Sequence, residues 1–222
     1  MAMIPIFAHG RELHSVFDLL GQDENHITYS IGWALSRCPA FTQRLVGHVL
    51  PSGGDMGPVE INLQRHDQDG GFTDIEIRSE SLHIIVEAKK GWSLPTAAQL
   101  ERYRPRFKDS TRKSLVAMSE CSQEYATPLL PTDVRGVPVC HLRWKDVHGI
   151  ASAAIAHETT AGKRLLNELL VYLEGVMTMQ NLESVSDIKG LIGGPRGAGR
   201  AWDHPWPYVQ RGQRVGQATV NG

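Results

Sequence analysis

Two carboxylates and a lysine stand close to where an apolar strand should end. Glu87-Ala88-Lys89 closes the run SLHIIVEA, and Asp74 lies upstream in FTDIEIRS. Side chains alternate along a strand, so Glu87 and Lys89 share a face. If the strand carrying Asp74 pairs with the strand carrying Glu87, the two carboxylates come together, and a hard divalent cation between them relieves their repulsion. Mg²⁺ is the natural candidate, with Mn²⁺ as a substitute. A lysine at the rim of such a site can orient or help deprotonate an attacking water and offset charge developing on a phosphate. A Glu-x-Lys triplet arises about once in a chain of this size from average composition, and solvated charges are ordinary at strand ends. Context lifts this one: the Glu ends an apolar strand, an Asp can pair beside it, and a helix follows at once.

The elements that must position these groups are readable from periodicity. A short helix is expected near residues 11 to 20. Asp23 then caps ENHITYSIGWALSRC, where Ile27, Ile31, Ala34, Leu35 and Cys38 fall on one helical face. Pro39 marks a break before a second helix reaching about Leu50, and PSGGDMGP has the content of a loop. From Val59 the apolar residues alternate, HDQDGG supplies a turn, and residues 59 to 78 read as an antiparallel hairpin. SLHIIVEA reads as a central strand buried on both sides. A helix from Pro95 to about Arg104, stopped or kinked by Pro105, leads to the strand SLVAM, and this crossover makes the strands at 82 to 88 and 114 to 118 parallel. VPVCHL is a fifth strand. Two helices follow, WKDVHGIASAAIA and one from about Gly162 to Met179 with a stripe of Leu165, Leu169, Leu170, Leu173 and Met177.

The chain has 222 residues and 41% hydrophobic content, enough for one domain with appendages. Lysine and arginine number 23 against 24 acidic residues, so any nucleic-acid surface must be local. One local concentration exists: Arg102, Arg104, Arg106, Lys108, Arg112 and Lys113, offset by Glu101 and Asp109. Such a run is often a solvated face, but its place beside the candidate site favours a phosphate backbone. Cys38, Cys121 and Cys140 are odd in number and far apart, which indicates neither a disulfide framework nor a CxxC zinc site. The ten histidines show no HxH or HExxH spacing. The opening MAMIPIFAHG has neither a basic region nor an apolar run of signal-peptide length, and a soluble, cytoplasmic chain is expected.

With Asp74 in FTD, Glu87-Ala88-Lys89, and a helix, strand meander, crossover helix and parallel strand over residues 24 to 118, the chain resembles the PD-(D/E)XK nuclease superfamily, also called restriction-endonuclease-like. Thr73 stands where the family's first motif often has Pro. Gln99 and Tyr103, four apart in AAQLERYRPRF, resemble the Q-x-x-x-Y helix motif of the RecB-like branch. The resemblance implies a three-layer α/β/α core with a central mixed sheet and flanking helices. It implies a nuclease, endo- or exonuclease, that cleaves DNA. Asp74, Glu87 and the Ala88 carbonyl would hold Mg²⁺, Lys89 would serve the water, and Gln99 and Tyr103 would position the substrate with Arg102, Arg106 and Lys108. Glu24 would add a ligand from the first helix, or it complements that helix's dipole. DNA is the expected partner, a membrane is not, and a homodimer is left open. An inactive nucleic-acid-binding or protein-interaction module of the same fold is the alternative.

Residues 1 to 183 are expected to form the nuclease domain. Residues 184 to 222 make a Gly-, Arg- and Pro-rich tail without sustained periodicity, expected to be loosely attached or disordered, although Trp202, Trp206 and Tyr208 could dock as an extended strip.

Overall fold

The computed structural model describes residues 4 to 51, 53 to 67, 71 to 108 and 111 to 178. The expectation for the tail therefore lies outside the described residues. The chain opens not with a helix but with a two-stranded antiparallel hairpin, β1 (Ile6–Ala8) and β2 (Arg11–Leu13). Its turn holds His9 and Gly10 at φ 49° and 79°, the pair of positive dihedrals that tight hairpins demand. One 3-10 turn, Val16–Leu19, follows, capped by Ser15 and Asp18, and Gly21 at φ 105° terminates it. The expected helix near 11 to 20 shrinks to that single turn.

Helices α1 (Glu24–Arg37) and α2 (Pro39–Val49) match the periodic reading, with Ile27, Ile31, Ala34 and Leu35 buried along α1. Pro39 occupies the first turn of α2, where a missing N–H costs nothing. Strands β3 (Glu60–Asp67), β4 (Gly71–Arg78) and β5 (Leu82–Ala88) form the meander, and α3 (Ala97–Arg102) with a 3-10 turn at Arg104–Arg106 leads to β6 (Arg112–Ser119). A four-residue helix α4 (Gln123–Ala126), the short β7 (Asp133–Val134) and β8 (Val137–Arg143) complete the sheet, and α5 (Trp144–Ala154) and α6 (Thr160–Thr178) close the described chain.

The six strands lie in the order β3-β4-β5-β6-β8-β7. β3, β4 and β5 pair antiparallel, β5 with β6 and β6 with β8 parallel, as the crossover through α3 requires. The C-terminal ends of β5, β6 and β8 therefore share one end of the sheet with the turn end of the β3–β4 hairpin. Alternation along each strand divides the core. Ile75, Ile77, Ile84, Val86 and Met118 pack with α1, α2, α5 and α6 on one face. Ile85 and Leu115 pack with Leu100, Tyr103 and Phe107 on the other. The molecule is thus mixed α/β, a six-stranded mixed sheet flanked by helices.

On α6 the buried stripe runs through Leu166, Leu169, Tyr172, Leu173 and Val176, while Leu165, Leu170 and Met177 pack only in part. Both stripes fit helical spacing. Tyr172 helps select the observed one by donating its hydroxyl to the Gly21 carbonyl at 2.6 Å. All three cysteines are free thiols. Among the described residues no helix is long and apolar enough to cross a membrane.

Candidate active site

The register of β4 on β5 pairs Ile75 with Val86. One residue nearer the site end on both strands, before Ile75 on β4 and after Val86 on β5, stand Asp74 and Glu87. Asp74 Oδ2 accepts from the Ala88 amide at 2.7 Å, which ties the Asp74 carboxylate to the neighbouring strand. Glu87 Oε1 accepts from Lys89 Nζ at 2.7 Å, and its Oε2 lies 2.5 Å from the Tyr103 hydroxyl. The same hydroxyl is 2.9 Å from the Phe72 carbonyl; having one proton, it gives it to one of the two oxygens at a time. Gln99 caps α3 through Thr96 and extends its Nε2 to 3.4 Å from Glu87 Oε1. Spacing of four on α3 thus brings Gln99 and Tyr103 to the same carboxylate.

Lys89 Nζ is surrounded by oxygen. It donates to Glu87, to the Ala88 carbonyl at 2.8 Å and to Glu24 Oε1 at 3.3 Å. The other Glu24 oxygen accepts from the Lys90 amide at 2.9 Å, so Glu24 clamps α1 onto the end of β5. Asp74, Glu87, Ala88, Lys89, Glu24, Gln99 and Tyr103 are therefore one connected cluster.

Comparison with protein-family models, with curated proteins and with solved structures finds no match. What the cluster does must follow from its own groups.

Its electrostatics are unbalanced. Burial, followed by repulsion from Glu87, raises the Asp74 pKa to about 6, even though the Ala88 and Gln64 hydrogen bonds and Lys89 work against the rise. Burial and then Glu87 also raise Tyr103, which stays a neutral phenol. Burial opposes the Lys89 ammonium, but its hydrogen bond to Glu87 and the charges of Glu87, Glu24 and Asp74 outweigh that and raise its pKa. One ammonium faces three carboxylates.

A hard divalent cation fits this donor set by chemistry, since carboxylate and carbonyl oxygens are what Mg²⁺ and Mn²⁺ prefer. Three of the four expected ligands, Glu87, Ala88 and Glu24, already direct an oxygen at one cationic nitrogen. Among the described residues no three His, Cys, Asp or Glu side chains stand as a preformed cation cage. Binding would require Lys89 to yield part of its shell.

The basic run separates into two groups. Arg106, with only 6% of its side chain exposed, donates to Glu76 Oε1 at 2.9 Å and to the carbonyls of Arg65 and Gly71, and its guanidinium lies over the Tyr103 ring. Glu76, 1% exposed, also meets Thr73, Arg65 and His83. Burial opposes its charge, yet the adjacent His83 ring and the Arg106 hydrogen bond hold its pKa below the usual range. Arg106, expected from the sequence to face the substrate, is thus turned inward as a buttress beneath Tyr103. Arg104 donates to the Arg135 carbonyl and Arg112 to Gly53 and Asp55. Arg102 and Lys108 are exposed.

Sequence reasoning overlooked Gln64. Its Nε2 donates to Asp74 Oδ1 at 2.9 Å and to Asn25 Oδ1 at 3.0 Å, linking β3, β4 and α1. Gln64 has φ 48° inside β3, a left-handed conformation that costs a non-glycine residue about 1 kcal/mol or more. Nothing in QRHD signals it.

Proposed function

We propose that this chain is a metal-dependent nuclease that hydrolyses phosphodiester bonds in DNA on a restriction-endonuclease-like core. One observation supports this above all: three carboxylates and one ammonium meet at the end of a strand pair, with two of the carboxylates buried. A bound Mg²⁺ or Mn²⁺, held by Asp74, Glu87 and the Ala88 carbonyl with Glu24 as a further ligand, would supply Lewis-acid stabilisation of charge on the phosphate.

The chain's own residues do the rest. Tyr103 and Gln99 fix the Glu87 carboxylate, Gln64 and the Ala88 amide fix Asp74, and Lys89, whose three N–H groups now meet Glu87, Ala88 and Glu24, would turn one of them toward a phosphate oxygen or the water. The water oxygen forms a bond to phosphorus as it gives up a proton, an ester P–O bond breaks, and the leaving oxygen takes up a proton, so the net proton count is unchanged. Arg102 and Lys108 face solvent and can meet the phosphate backbone.

A second reading has one observation in its favour. Lys89 satisfies the oxygens that a metal would use, as in a module that keeps the fold without turnover. Purified full-length protein on linear, circular and single-stranded DNA with Mg²⁺, Mn²⁺ or EDTA separates the two. Cleavage that needs metal and falls about a hundredfold or more in Glu87→Ala is expected for the nuclease. Cleavage by the variant at the parent's rate, or none by the parent with either metal, defeats the proposal.

A further inference from the structure

Two exposed aromatic pairs lie at the sheet end that carries the candidate site. On the hairpin side His66 and Phe72, partners in the β3–β4 register, hold their rings 4.8 Å apart, and Phe72 is 59% exposed. The Phe72 carbonyl is the one beside the Tyr103 hydroxyl, so this ring stands one residue-contact from Glu87. On the other side Trp92 and Tyr125 meet edge to face at 5.2 Å, with 41% and 42% of their surfaces exposed. Trp92 follows Lys89 by three residues. Its loop is pinned to the end of β6, because the Lys89 amide donates to the Met118 carbonyl and Gly91 exchanges hydrogen bonds with Glu120.

Large flat side chains left in water cost free energy unless something covers them. The covering here must suit charge as well as rings. Lys90 and Arg102 are exposed beside the site, on the loop after β5 and on α3. Bases supply faces for the rings, and phosphates supply anions for the cations. From β4 to β6 the sheet advances two strand spacings, about 10 Å. A single strand laid along a groove crosses such a span within a few nucleotides.

Building on the nuclease reading, we infer that the two aromatic pairs are base-stacking platforms for a single-stranded segment, which crosses the sheet end so that a phosphate between them faces Asp74 and Glu87. In a duplex, both faces of each internal base are already stacked, so these platforms select unpaired strands.

The test measures binding in EDTA, where metal-dependent cleavage is absent, with the full chain and three labelled probes of equal length: a single strand, the same strand made abasic, and a duplex. The parent should prefer the single strand over both others by tenfold or more. Phe72→Ala and Trp92→Ala should each weaken it by about 5- to 150-fold, from about 1–3 kcal/mol per stacked base. Phe72→Leu and Trp92→Leu, which keep apolar bulk and remove the flat ring, should weaken it nearly as much; thermal melts confirm that all four variants fold. Equal binding of abasic and normal strands, or variants that bind like the parent, overturns the platforms and leaves the nuclease reading standing if metal-dependent cleavage persists. A parent that binds no probe in EDTA and cleaves none with Mg²⁺ or Mn²⁺ removes both. A Phe72→Ala or Trp92→Ala variant that loses self-association in sedimentation, with strand affinity intact, makes the surface a contact between copies of the chain and also overturns the inference.

Discussion

Asp74 carries the most strained charge of the cluster, and its sign can be checked by solution stability. Its pKa rises from 3.8 to about 6 because burial, and then Glu87, disfavour the carboxylate. A group with a raised folded pKa contributes stability that is full below its unfolded value and is lost as pH rises through the folded one. The window therefore runs from about pH 4 to about pH 6, and the amount is about 3 kcal/mol for a shift of about two pH units. Without divalent metal, Asp74→Asn should be more stable than the parent by about 1–3 kcal/mol at pH 8 and no more stable below pH 4. Urea unfolding at both values measures this; a difference independent of pH refutes the electrostatic account. Mg²⁺ should stabilise the parent and not the variant. Asp74, Glu87 and Lys89 were legible because strand alternation and an apolar strand end are local signals. Gln64 was not, since its left-handed turn inside β3 and its bridge to Asn25 exist only once α1 is packed over the sheet.

At the level of elements, the short crossover decides which arginines can meet a phosphate. Continuing α3 through residue 106 would leave Arg102 and Arg106 on neighbouring faces, and the sequence treats them alike. The helix instead stops at Arg102, and the 3-10 turn Arg104–Arg106, containing Pro105, changes the phase so that Arg106 enters the Glu76 network. Arg106→Ala should therefore cost about 3–5 kcal/mol by stranding the buried Glu76. Arg102→Ala should leave stability within about 0.5 kcal/mol and reduce the salt slope of DNA binding by about one. Denaturant midpoints and a salt titration of the two variants check this, and the reverse pattern would show that the two roles are exchanged. The same lesson holds at the start of the chain. Residues 11 to 20 carry enough apolar residues for a helix, but His9-Gly10 and Gly21 confine them to a hairpin and one turn.

On the scale of the whole molecule, the sheet is covered unequally. Among the described residues, one face gathers twenty-nine buried hydrophobic side chains and the other seven. Each large apolar side chain fully buried contributes about 1.5–3 kcal/mol, so the thick face sets global stability and the thin one can open alone. The site straddles this divide. Asp74, Glu87 and Glu24 belong to the sheet and α1, whereas Gln99 and Tyr103 ride on α3. Amide hydrogen exchange should find the amides of Leu100 and Tyr103 at least about tenfold less protected than those of Ile31 and Leu35, through an opening that spares α1. Uniform protection across both layers would exclude it. The groups that would grip an ion thus form a floor on the thick layer, and the pair that braces Glu87 forms a wall on the thin one; if exchange shows that wall opening alone, a strand's ends need not be threaded through the site, because an internal stretch could enter from the flank.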